Sequence, residues 1–162
     1  PQDLVIVSPD AGRVKVAERF AQHLSDLNAD VAFINKRRPK GTINVAIAKE
    51  VIGDVDGRLC ILTDDMIDTG GTIVSAAELL LERGAKEVWA MATHGVLSDP
   101  AVERLSKSPI SRVVLTNTLP LAPAKHFDKV EVLSVAKIIA DALAAVFDET
   151  SVSELFDGEN QS

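Results

Sequence analysis

The densest run of chemically capable residues is Ile61-Leu62-Thr63-Asp64-Asp65-Met66-Ile67-Asp68-Thr69-Gly70-Gly71-Thr72. An apolar strand-like stretch ends on two adjacent carboxylates, and the C-terminal ends of strands are where open α/β sheets bind ligands. The following Asp68-Thr69-Gly70-Gly71-Thr72 opens a helical pattern. Glycines at a helix start let backbone N–H groups close around a phosphate at the positive terminus, and the Thr69 and Thr72 hydroxyls add donors. Phosphate donors on one side and paired hydroxyl acceptors on the other complement a sugar phosphate, with Asp64 and Asp65 accepting from the cis-diol of a ribose. Taken singly, the acids would be a polar loop and Asp68 or Thr69 a helix cap. The occurrence of strand, acid pair, glycines and helix together argues for a site.

Three other segments carry candidate chemistry. Lys36-Arg37-Arg38-Pro39-Lys40 crowds four cations, which is costly unless an anion such as a triphosphate accompanies them; the plain alternative is a solvated basic loop. Asp10, in Ser8-Pro9-Asp10-Ala11-Gly12, is by itself a turn former. His94 follows the apolar run Val88 to Thr93, at another strand end, where it either touches substrate or is structural. Nothing converges on His23 or His126, and the lone Cys60 sits in Leu59-Cys60-Ile61-Leu62 as a buried, unreactive thiol.

The elements that must position these residues read as alternating βα units, and so as an α/β fold with a parallel-rich central sheet flanked by helices. Leu4-Val5-Ile6-Val7 is a fully apolar first strand, followed by a helix with Val16, Ala17, Phe20, Leu24 and Leu27 at helical spacing. Val31 to Ile34 is a second strand and Val45 to Ala48 a third. Arg58 to Thr63 is a fourth strand, running into an acidic loop, Asp64 to Thr72, and a helix ended near Arg83 by Gly84. Val88 to Thr93, Val113 to Leu115 and Val130 to Leu133 continue the sheet. Short and long helices are predicted around Pro100 to Leu105 and over Val135 to Phe147. Residues 1–147 thus form one domain, and 148–162 an acidic tail with one apolar turn at Val152, Leu155 and Phe156; beyond Asp157 disorder is expected.

The chain has 162 residues, 46% of them hydrophobic and 25% charged, which suits one ordered globular domain. Its 24 acids and 17 bases give −7. Five of the acids lie in 148–162, so the body is near neutral, with no basic surface for nucleic acid. No stretch is long and apolar enough for a membrane span, and no basic leader precedes the first strand, so a cytoplasmic location is expected. The chain opens on Pro1 and enters a strand almost at once, as a piece of a longer protein would.

The string Ile61 to Thr72 resembles the phosphoribosyl-pyrophosphate loop of the type I phosphoribosyltransferase superfamily. Together with Ser8 to Gly12, Lys36 to Lys40, Ala92-Thr93-His94-Gly95-Val96-Leu97-Ser98 and Ser151 to Phe156, in this order, it resembles the ribose-phosphate pyrophosphokinase family, over the C-terminal half only. The resemblance implies a phosphoribosyltransferase-like fold and the transfer of pyrophosphate from Mg-ATP to ribose 5-phosphate. It implies that Lys36 and Arg38 are catalytic, with Arg38 also touching substrate. It further implies that Asp64, Asp65, Asp68, Thr69, Gly70, Gly71, Thr72 and His94 bind substrate and that Asp10 helps hold Mg²⁺. A homo-oligomer is implied as well, with an ATP-binding N-terminal half that this chain lacks and without which it is expected to be inactive. Arg13 departs from the pattern, standing where many relatives have a second glycine. Two alternatives use the same features: a phosphoribosyltransferase, for which no base-binding hood is evident, and a non-catalytic regulatory subunit.

Overall fold

The computed structural model describes residues 3–37 and 48–156. In chain order the elements are β1 (Leu4–Ser8), α1 (Val14–His23), β2 (Asp30–Arg37), β3 (Ala48–Ile52), β4 (Leu59–Ile67), α2 (Gly71–Glu82), β5 (Glu87–Gly95), α3 (Ala101–Lys107), β6 (Arg112–Thr116), β7 (Val130–Leu133) and α4 (Ala136–Phe147). Among the described residues the strands form one seven-stranded sheet of order β3-β2-β1-β4-β5-β6-β7. Every pairing is parallel except β2 with β3.

Side chains alternate across the central strands, so both faces bury apolar residues. Val5, Val7, Cys60 and Leu62 face a core completed by Ile73, Ala76, Ala77 and Leu80 of α2 and by Leu105 of α3. Leu4, Ile6, Leu59 and Ile61 face the other way, against Ala17 and Ala21 of α1. The apolar spacing of α1 anticipates the helix but misplaces its packing face. Its two alanines lie on the sheet, Phe20 and Leu24 pack at the margin, and Val16 stays 58% exposed. Small side chains let the helix approach the strands closely, and a centred Val16 would not. In α2, by contrast, Ile73, Val74, Ala76, Ala77 and Leu80 follow the helical period and are all buried. Gly84, at φ 93, turns the chain after it.

Two sequence expectations are corrected. The third strand runs over Ala48–Ile52, not Val45 to Ala48, and is antiparallel; Val45, Ala46 and Ile47 lie outside the described residues. The pairs Phe33↔Ile52 and Ile34↔Val51 set its register. Asp64 to Ile67 are not loop but the continuation of β4, held by the partners Asp64↔Ala92, Met66↔His94 and Ile67↔Gly95. Ladder pairing with β5 overrides the weak strand preference of adjacent aspartates. The acidic tail places a 3-10 helix, Val152–Phe156, against α4. The expectation for the chain beyond Asp157 lies outside the described residues. No described helix is long and apolar enough to cross a membrane.

Candidate functional site

The strand order reverses between β1 and β4: the chain leaves β1 toward β2 on one side, and leaves β4 toward β5 on the other. A crevice opens at such a switch point, beyond the carboxyl ends of the two strands. Here it is a cavity of about 410 Å³, bounded by Asp10 and Arg13 from the turn after β1, by Asp64 and Asp65 of β4, and by the segment Asp68 to Ile73. The structure therefore brings Asp10, the acid pair and the glycine loop together.

The extension of β4 gives the two acids different surroundings. Consecutive strand residues point to opposite sides of the sheet, and Asp64 is the more enclosed, with its side chain 21% exposed against 44% for Asp65. Burial raises the Asp64 carboxyl above the usual aspartate range, while the Asp65 N–H, donated to Asp64 Oδ1 at 2.8 Å, partly offsets that rise. Asp65 is held below the usual range, first of all by the Arg13 guanidinium, whose Nη2 lies 2.8 Å from Asp65 Oδ2. Arg13 Nη1 is also 3.5 Å from Asp64 Oδ1. Both acids are thus shaped by a residue that the sequence marks only as a departure from a glycine.

The far end of the cavity is built by backbone. Gly70 adopts the left-handed region at φ 73, where a side chain would be strained, and it supplies no side-chain cap to α2. The first N–H groups of α2 therefore face the cavity's end without a capping side chain, the arrangement that binds anions at helix starts. A Cβ on Gly71 would come within 3.2 Å of Arg104 Nη1, and that same nitrogen donates to the Thr69 carbonyl at 2.6 Å. Arg104 belongs to α3 and was not a sequence candidate. Its contribution arises from the α2 and α3 packing, so no local motif could signal it.

Asp10 is half-exposed beside the acids, its Oδ1 accepting the Gly12 N–H at 2.8 Å. Among the described residues, no group of three or more His, Cys, Asp or Glu side chains is arranged to hold a metal ion. Lys36 is not in a loop after the second strand but within β2, opposite Lys49 of β3, because pairing with β3 extends the strand past Ile34. Arg38 lies outside the described residues. His94 is not after β5 but within its last two residues, opposite Met66, and does not line the cavity. Its Nδ1 and the Thr118 Oγ1 share a 2.8 Å hydrogen bond. Cys60 is fully buried, and burial pushes its thiol up to about 11.

Comparison with known proteins supplies the family. The chain is 53% identical over 154 residues to a ribose-phosphate pyrophosphokinase of Streptomyces coelicolor, covering 95% of this chain and 47% of that protein. It is 52% identical over 157 residues to the ribose-phosphate pyrophosphokinase of Clostridium acetobutylicum, covering 97% and 48%. The crystal structure of phosphoribosylpyrophosphate synthetase from Mycobacterium smegmatis superposes with a TM-score of 0.81 at 50% identity, over 91% of this chain and 46% of that one. The chain spans just under half the length of each of these relatives. The family model described as phosphoribosyl synthetase-associated domain matches residues 32–157, which takes in the acid pair, the glycine loop and the sheet from within β2 onward, and the chain belongs to that family.

Proposed function

We propose that this chain is the ribose-5-phosphate-binding, C-terminal half of a ribose-phosphate pyrophosphokinase. The observation that carries the reading is the convergence, in one switch-point cavity, of paired carboxylates with an uncapped, glycine-opened helix start. Asp64 and Asp65 accept the ribose hydroxyls, while Asp68, Thr69, Gly70, Gly71 and Thr72 enclose the 5-phosphate. The names of relatives about half identical in sequence support the same reading.

In the complete protein, the anomeric hydroxyl oxygen attacks the β-phosphorus of ATP. An oxygen–phosphorus bond forms, the bond from the β-phosphorus to the oxygen it shares with the α-phosphorus breaks, and AMP leaves with the electron pair. The hydroxyl proton is lost to solvent or a base. There is little covalent work for the protein; holding two reactants in line and neutralising charge dominate. Lys36, near the end of β2, and Arg38 stabilise the charge that develops on the transferred group.

Four carboxylates, Asp10, Asp64, Asp65 and Asp68, line the cavity against the single guanidinium of Arg13 among the described residues. Such an excess of negative charge accommodates a phosphorylated ligand only with added cations. Mg²⁺ suits this donor chemistry, since it is commonly held by one or two carboxylates with phosphate oxygens and water completing its shell. Asp10 is the residue that would hold it, and the ion would supply positive charge to offset the phosphate oxygens. The same proposal places the protein in the cytoplasm as a homo-oligomer. Apolar side chains exposed on β7 and α4, among them Leu133, Ile139, Leu143 and Phe147, support association with a second copy.

The test is calorimetric titration of the purified chain with ribose 5-phosphate, ribose and inorganic phosphate. Saturable binding of the sugar phosphate, tighter than either part alone, is the expected result. Equal affinity for phosphate and ribose 5-phosphate would remove the diol from the reading.

A further inference from the structure

The four oxygens of the acid pair are not equivalent. Asp65 Oδ2 accepts from Arg13 Nη2 at 2.8 Å and Asp65 Oδ1 from the Met66 N–H at 2.8 Å. Asp64 Oδ1 accepts from the Asp65 N–H at 2.8 Å and lies 3.5 Å from Arg13 Nη1. Among the described residues no N–H group donates to Asp64 Oδ2, although the two carboxyls also interact side chain to side chain. We propose that Arg13 divides the labour of the pair, tying Asp65 to the turn after β1 as an anchor and leaving Asp64 to present to the sugar diol the oxygen that neither Arg13 nor the backbone holds. This rests on the ribose reading above and goes further, assigning Arg13 as a positioning residue and ranking the two acids.

The geometry supplies the reasons. The guanidinium is a rigid fork that engages two acceptors in a fixed plane, and a flexible ammonium does not reproduce it. Arg13 is three positions from Asp10, so its reach across 52 residues to Asp65 also sets the turn carrying Asp10 against the end of β4. The Arg13 and Asp65 side chains are 39% and 44% exposed, too open for their ion pair to add much to stability. What such a clamp does fix is direction: with Asp65 held, the backbone N–H of Asp65 in turn holds Asp64 Oδ1. Asp64, the more enclosed of the two, is where a hydroxyl hydrogen bond gains most from reduced screening by water. Around Asp65 the charged groups are Arg13 and Asp64, with Asp10 on the same cavity wall.

The experiment uses the 162-residue chain and its R13Q, R13K, D64N and D65N variants. Ribose 5-phosphate affinity is read by calorimetry and the Asp65 carboxyl titration by carbon NMR. D64N should lower affinity about tenfold or more, as the loss of a charge-assisted hydrogen bond does. D65N and R13Q should lower it less, by about threefold, a loss of under 1 kcal/mol. R13K should recover part of the R13Q loss, and R13Q should move the Asp65 midpoint upward. A loss in D65N equal to or above that in D64N, or an Asp65 midpoint unmoved by R13Q, would overturn the proposal. If the parent chain does not bind ribose 5-phosphate while R13Q still moves the Asp65 midpoint, the clamp stands and the ribose reading falls.

Discussion

Arg104 Nη1 donates to the carbonyl oxygen of Thr69 at 2.6 Å, so a helix 35 positions downstream braces the loop expected to enclose phosphate. The braced carbonyl lies directly before Gly70 and Gly71, whose backbone opens α2. Truncation in R104A should loosen that loop and weaken ribose 5-phosphate binding roughly two- to tenfold, the worth of one ordinary hydrogen bond. Calorimetry on the purified chain decides it; unchanged affinity would make Arg104 a packing residue alone.

Gly70 takes φ 73, and an added Cβ would meet Leu105 Cγ at 3.4 Å, an ordinary contact. Conformation rather than crowding is the obstacle there. G70A should therefore cost about 1–2 kcal/mol of stability, the penalty of a left-handed non-glycine residue. It should also tilt the N–H groups that face the cavity. Denaturant melts read the first effect and phosphate titration the second.

Removing both carboxylates in the double variant D64N, D65N should abolish measurable ribose 5-phosphate binding and leave the fold intact. Each charge-assisted hydrogen bond to a hydroxyl is worth roughly 1.5–3 kcal/mol, whereas partly exposed carboxylates contribute little to stability. A circular dichroism melt alongside the titration separates lost binding from lost structure. Affinity equal to the parent chain's would reject the ribose assignment.

Burial holds the Asp64 carboxyl above the ordinary aspartate range, and the Arg13 guanidinium holds that of Asp65 below it. Protonating Asp64 removes an acceptor, so affinity should fall as pH drops, starting above the ordinary value of 3.8. The sign for folding runs oppositely at the two sites. The depressed Asp65 contributes stability above its unfolded value that is lost as pH falls through its folded value. The raised Asp64 disfavours the fold as pH climbs through its own. Binding titrations from neutral pH downward should show loss of affinity before loss of structure, and simultaneous loss would contradict the assignment to Asp64.

If Lys36 and Arg38 act on the transferred group as proposed, Lys36→Ala and Arg38→Ala in the complete protein should lower the turnover number far more than they raise KM for ribose 5-phosphate. A pure KM effect would make the basic segment a binding element. The 162-residue chain alone, mixed with Mg-ATP and ribose 5-phosphate, should release no AMP. Turnover at a rate ordinary for enzymes, about 1 per second or more, would place the nucleotide site within these residues.

Local pattern was enough for much of this protein. Continuous apolar runs such as Leu4 to Val7 and Leu59 to Leu62 declared doubly covered parallel strands, and the buried positions of α2 kept the helical period. The acid pair, glycines and following helix were legible because the chemistry of a phosphate loop is carried by consecutive residues. What pairing and packing decide was hidden. Asp64 to Ile67 became strand only through their β5 partners, and α1 turned Ala17 and Ala21 inward because small side chains fit the sheet best. The third strand followed its antiparallel register with β2. Arg13 and Arg104 entered the site from 52 and 35 positions away. Their roles depend on side chains meeting across a crevice that exists only once β1 and β4 lie side by side, and no spacing along the chain encodes that meeting.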